Sequence, residues 1–173
     1  MPPRLISDLS KMDLNRVEVD LEGIRKVNPQ RFEMEQLTAI VYVNRSEGVI
    51  VGYKDVRNDE FWVRGHLPGY PLMPGVLMCE AAAQLCSYYT VTSGLVEEGF
   101  FGFGGINDVK FRGPVHPGDR LVIVSMLKEF RPRRRATFAT QGLVGDTLVF
   151  HGDIIGVPMT TATVSSAVSG APT

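Results

Sequence analysis

The chain reads as an α+β protein in which a curved antiparallel sheet wraps around one long central helix. Three features predict this. Residues 76–89 contain neither Gly nor Pro, and residues 76–86 are apolar on every side of a helix except at Glu80 and Gln84; a helix apolar all round is a buried one. Two β-rich segments precede it and four follow, separated by Gly, Pro, Asn and Asp turn signals. A single buried helix needs cover on more than one side, which a strongly curved sheet supplies. Pairing with a second copy of the chain would manage one edge of that sheet.

In order, residues 1–19 are polar and mixed and read as an N-terminal arm, loose over 1–16. Residues 20–159 form the domain. It opens with a short helix in which Leu21, Ile24 and Val27 share a face behind Asp20, a candidate N-cap, and Asn28-Pro29 ends it. Residues 37–43 and 49–56 read as strands, joined into a hairpin at Ser46-Glu47-Gly48. A polar connection and the apolar Phe61-Trp62-Val63 lead into a loop at 65–74, where Gly65, Pro68, Gly69, Pro71 and Pro74 prevent regular structure. Pro74 suits the first helical turn. Residues 92–99 connect the helix to a strand over 100–111, bulged near its glycines. After a turn cluster at 113–119 come strands over 120–130, 134–144 and 147–157, with Gly145-Asp146 as a tight hairpin. Residues 160–173 are small and polar and read as a frayed C-terminal tail.

The chain has 173 residues, one domain's worth, long enough to bury a sizeable core. A formal net charge of −1 argues against nucleic-acid binding. No apolar run approaches the ~18 residues of a membrane span, and the N-terminus has no signal-peptide core, so the expected location is the cytoplasm. Cys79 and Cys86 sit on one helix with Cα atoms about 10 Å apart, too far for a disulfide with each other. Free buried thiols fit a reducing compartment, and Cys79 reads as a small hydrophobe rather than a nucleophile.

Residues 65–84, G-H-L-P-G-Y-P-L-M-P-G-V-L-M-C-E-A-A-A-Q, carry the chemistry. Glu80 is an acid on an apolar helix, where acids are costly. Gln84 is its neighbour one turn on, and His66 stands in the loop leading in. These residues read as an acid and a base held around one pocket.

This stretch resembles the signature of the hot-dog-fold 3-hydroxyacyl-acyl-carrier-protein dehydratases, G-H-F-P-x-x-P-x-M-P-G-V-L-x-x-E-A-x-A-Q. The match is ungapped from His66 to Glu80. Residues 103–111 and 114–119 resemble later family segments in order, and Pro29-Gln-Arg-Phe resembles the family's P-H-R stretch less well. The resemblance covers roughly residues 20–157. It implies a helix wrapped by a curved sheet, in agreement with the residue-level reading. It also implies a homodimer whose sheets join edge to edge, with the histidine of one chain facing the acid of the other, in some members a trimer of dimers. The substrate would be carried by an acyl carrier protein, in fatty-acid or related acyl-chain synthesis. Leu67 stands where the family has Phe, Gln30 where it has His, and Gly102 where it often has a tunnel-gating Tyr.

For that reaction His66 is the candidate base at C2, since imidazole exchanges protons near neutral pH. Glu80 is the candidate acid for the departing hydroxyl, and apolar surroundings favour a neutral acid. The Gly75 amide, at the helix start, is the candidate donor to the thioester oxygen. Gln84 is open to three roles: orienting Glu80, binding substrate, or satisfying a backbone group. No metal and no cofactor is required. His116, in a turn, and His151, in a strand, read as structural. Arg131, Arg133, Arg134 and Arg135 read as a solvated hairpin tip, with docking of an acidic carrier protein as the alternative. Two other functions compete: a thioesterase hydrolysing similar thioesters, and a non-catalytic acyl-thioester-binding protein.

Overall fold

A computed structural model describes residues 4–159; the expected tail at 160–173 lies outside the described residues. A short helix α1 (Leu21–Arg25) precedes strands β1 (Ala39–Asn44) and β2 (Val49–Asp55). The long helix α2 (Gly75–Thr92) follows, and then β3 (Phe100–Phe111), β4 (Arg120–Arg131), β5 (Arg135–Val144) and β6 (Thr147–Met159). Asp20 caps α1 as expected, its side chain accepting from the Gly23 amide at 2.8 Å.

The six strands form one antiparallel sheet in the order β1-β2-β4-β5-β6-β3. Three hairpins account for most neighbours. The passage through α2 sends β3 to the far edge. The register slips between Phe103 and Gly105 and again between Asn107 and Lys110, so β3 is irregular at its glycines and beyond.

Alternation along the central strands decides what each face meets. Ile50, Leu121, Ile123 and Phe138 point inward and are fully buried against α2. At Gly52 a Cβ would stand 2.9 Å from both the Leu85 side chain and the Ala39 carbonyl, so the close seating of helix on sheet requires glycine there. Val49, Val51, Val122 and Val124 point outward and are also buried.

Their cover is the N-terminal arm, which the sequence led us to expect loose. Ile6, Leu9, Met12 and Leu14 pack on the outer valines. The buried Gln141 side chain clasps the arm, accepting from the Ile6 amide at 2.8 Å and donating to the Arg4 carbonyl at 2.9 Å.

The helix also departs from expectation. It is longer than 76–89, and Pro74 occupies the N-cap position rather than the first turn. It is not buried on all sides of the single chain. Val76 is exposed, and Leu77, Glu80 and Ala83 are half-buried, a stripe at helical spacing on the N-terminal half.

Candidate active site

The loop at 65–74 is tied down through its backbone. The His66 amide donates to the Trp62 carbonyl at 2.8 Å, and the His66 carbonyl accepts from the Leu72 amide at 2.8 Å. Leu67 and Tyr70 exchange two backbone hydrogen bonds across Gly69, whose φ of 77° suits glycine. The Met73 amide then donates to the carbonyl of the fully buried Val115 at 2.8 Å, which seats the start of α2 on the core. The His66–Leu67 peptide is cis.

Within this loop the His66 ring is oriented by one contact. Its Nδ1 lies 2.6 Å from the Leu72 carbonyl oxygen and must donate, because a carbonyl only accepts. Nε2 of the neutral ring therefore carries the lone pair, as a base requires.

At the start of α2 the Gly75 and Val76 amides precede any possible intrahelical acceptor, and no other group among the described residues accepts from them. They are bare donors carrying the positive end of the helix dipole. The Phe111 ring lies over this point, and a Cβ on residue 75 would come within 2.7 Å of it.

Glu80 and Gln84 are neighbours as expected: Gln84 Nε2 donates to Glu80 Oε1 at 2.8 Å. The same amide donates to the Met34 carbonyl at 2.6 Å, and Gln84 Oε1 accepts from the Gln36 amide at 2.9 Å. Asn28 Nδ2 donates to the Gln84 carbonyl at 2.9 Å. Gln84 is 2% exposed and both its amide protons are engaged, so its hydrogen bonds orient Glu80 and satisfy the backbone at 34–36. Glu80 Oε2 has no hydrogen-bond partner among the described residues.

The four residues thus run from the loop leading into α2 to the middle of that helix. Two cavities, of about 610 Å3 beside Phe32, Lys54 and Phe61 and about 570 Å3 beside Leu95, Phe130 and Arg133, include neither His66 nor Glu80.

Burial pushes the Cys79 thiol up to about 11 and the Cys86 thiol up to about 12, which makes both poor nucleophiles. At the β4–β5 turn, Arg131 and Arg135 pair with Glu129, and Arg133 pairs with Glu97. Met159 fills the space that a side chain on residue 102 would take. Sequence reasoning set aside His116, but its Nδ1 donates to the Pro71 carbonyl at 2.8 Å, within the same loop. In the sequence it lies between two prolines, in the P-V-H-P-G-D stretch that resembles a family segment.

A family model for the FabA-like domain matches residues 28–153. A 3-hydroxyacyl-acyl-carrier-protein dehydratase FabZ of Desulfotalea psychrophila is 35% identical over 143 residues, spanning 80% of this chain and 92% of the relative. Another FabZ, from a Hydrogenobaculum species, is 39% identical over 107 residues, spanning 61% of this chain and 72% of its own. Among solved structures, the dehydratase heterocomplex ApeI:P from Xenorhabdus doucetiae aligns with a TM-score of 0.70 at 14% identity, over 84% of this chain and 96% of that one. The E. coli PaaI protein from the phenylacetic acid degradation operon aligns at 0.54 and 15% identity, over 68% and 80%. At such identities these two structures establish the fold alone, the hot-dog arrangement of one helix inside a curved sheet. With its matched domain and with FabZ relatives aligned over most of their length, the chain belongs to the FabA-like family.

Proposed function

We propose that this protein dehydrates 3-hydroxyacyl thioesters, carried on an acyl carrier protein, to trans-2-enoyl thioesters. The observation that carries the reading is the pairing of an imidazole whose Nε2 is left free with bare amides at the start of α2. His66 Nε2 removes the proton from C2. The charge that develops on the thioester oxygen falls to the Gly75 amide, a preformed donor whose removal typically costs about 10²–10³ in rate. Glu80, in its acid form, gives its proton to the C3 hydroxyl. The C3–O bond breaks, the C2=C3 bond forms, and water leaves. Gln84 is the positioning residue that aims Glu80.

The working unit in this reading is a dimer. Residues 18–19 already bond to Ile40 near the start of the β1 edge, whereas β3 is the other edge of the sheet, with no strand described beyond it. That edge carries the exposed Phe103, Ile106 and Phe111. An exposed apolar edge strand is a template for a second sheet. Pairing there would also bring a partner against the half-buried stripe at Val76 and Glu80. In this dimer each site takes His66 from one chain and Glu80 from the other. The free thiols suit a reducing cytoplasm.

One assay separates the three functions. Incubation with a 3-hydroxyacyl thioester should produce enoyl absorbance without free thiol. Free thiol would mark a thioesterase, and neither product a binding protein. Four Arg→Ser changes at 131, 133, 134 and 135 are expected to affect carrier-bound and small-thiol substrates alike, given the ion pairs there; a loss confined to the carrier-bound substrate would assign the patch to docking.

A further inference from the structure

The carbonyls of Pro71 and Leu72 are consecutive, and each accepts from the Nδ1 of an imidazole: His116 on Pro71 at 2.8 Å, His66 on Leu72 at 2.6 Å. The two rings come from different places. His66 belongs to the loop, whereas His116 comes from the turn between β3 and β4.

That turn is firmly seated. The His116 amide donates to Asp119 Oδ2 at 2.7 Å. Val56 bonds to the same turn twice, donating to the Asp119 carbonyl at 2.9 Å and accepting from the Gly118 amide at 2.8 Å. Val115, beside His116, is fully buried. The tip of the 65–74 loop lacks such anchorage, since Leu67, Pro68, Gly69 and Tyr70 are all exposed. What the tip does touch is His116. The Tyr70 ring meets the imidazole edge-on at 5.1 Å between centroids, with its hydroxyl 3.5 Å from Nε2.

We propose that His116 is a positioning residue for the dehydration site, holding the loop whose next carbonyl orients His66. The inference rests on the reading of His66 as the base. The Pro71 carbonyl shares one planar peptide with the Leu72 amide, which donates to the His66 carbonyl at 2.8 Å, so displacement of the Pro71 carbonyl moves the residue that holds His66. Among the described residues the Leu72 carbonyl is the only group that sets the tautomer of His66. Freed from His116, the loop keeps its fold but presents Nε2 at the wrong angle, and a misplacement of about 1 Å can cost about a hundredfold in rate.

The test uses three substitutions chosen for where each can donate. Asn places a side-chain N–H where Nδ1 was. Gln places one near Nε2, and Leu places none. Rates of hydration of an enoyl thioester are measured with melting temperatures for the full-length protein. His116→Leu and His116→Gln are expected to lower kcat at least about tenfold with KM within about twofold, and His116→Asn to restore most of the loss. If His116→Leu fails to fold, the Gln and Asn pair decides alone. Equal activity in Asn and Gln, or a loss confined to KM, overturns the proposal. His66→Ala serves as the control for the reading beneath it: an active His66→Ala enzyme refutes the base assignment, whereas an inactive one with unaffected His116 variants refutes only the positioning role.

Discussion

The two ends of α2 are built to opposite specifications. At the C-terminal end side-chain and backbone hydrogen bonds close the helix. Thr90 Oγ1 donates to the Cys86 carbonyl at 2.6 Å and Thr92 Oγ1 to the Tyr88 carbonyl at 2.8 Å. The Ser93 amide returns to Tyr89 at 2.9 Å and the Leu95 amide to Thr90 at 3.0 Å, turned by Gly94 at φ 70°. At the N-terminal end Pro74 offers no side-chain cap, and the first amides bond to nothing described. Ser, Thr or Asp at that position would have contributed about 1 kcal/mol. Unused hydrogen-bonding capacity is therefore concentrated where a developing anion would need it, and stability is secured at the other end.

The asymmetry can be attacked from either end. The largest effects belong to the open one. His66→Ala and Glu80→Gln are each expected to lower hydration of an enoyl thioester by about 10²–10⁴, with melting temperature retained; activity in either variant breaks the assignment. Gly75→Ala keeps the amide but sets a methyl group against Phe111, so a loss of at least about tenfold is expected, and further substitution of Phe111 by Leu should relieve part of it.

Gln84→Leu sits between the two classes. It strips the Gln36 amide and Met34 carbonyl of their buried partner, which costs about 1–3 kcal/mol per group, measurable by denaturant unfolding. It also unties Glu80, so kcat should fall with it. The smallest effect belongs to the closed end: Thr90→Val is expected to lower stability by about 1 kcal/mol and to leave kcat/KM unchanged. A loss of activity there comparable to that of Gly75→Ala would erase the contrast.

The proposed site residues could be singled out in the sequence because they share one contiguous stretch with the main helix of the fold. Proline and glycine punctuation marked the loop, and the apolar run beyond it made Glu80 conspicuous. β3 was bounded at 100–111 from its flanking turns, and the structure has it there. The arm was not legible. Ile6, Leu9, Met12 and Leu14 follow neither helical nor strand periodicity, and what holds them is a valine surface assembled from β2 and β4, distant in the chain. Expecting α2 to be buried all round followed from its composition, yet in the single chain Val76 is exposed and Leu77, Glu80 and Ala83 are half-buried. The hydrogen bond of His116 to Pro71 was not legible, because the carbonyl a turn histidine meets is set only by folding.

The docked arm also constrains how this protein can grow. With residues 6–14 roofing the side of the sheet away from α2, that surface is already shut to a sheet from any other molecule. A second copy stacking from behind would first have to peel the arm and break its two bonds to Gln141, which joining along the rim of the sheet does not require.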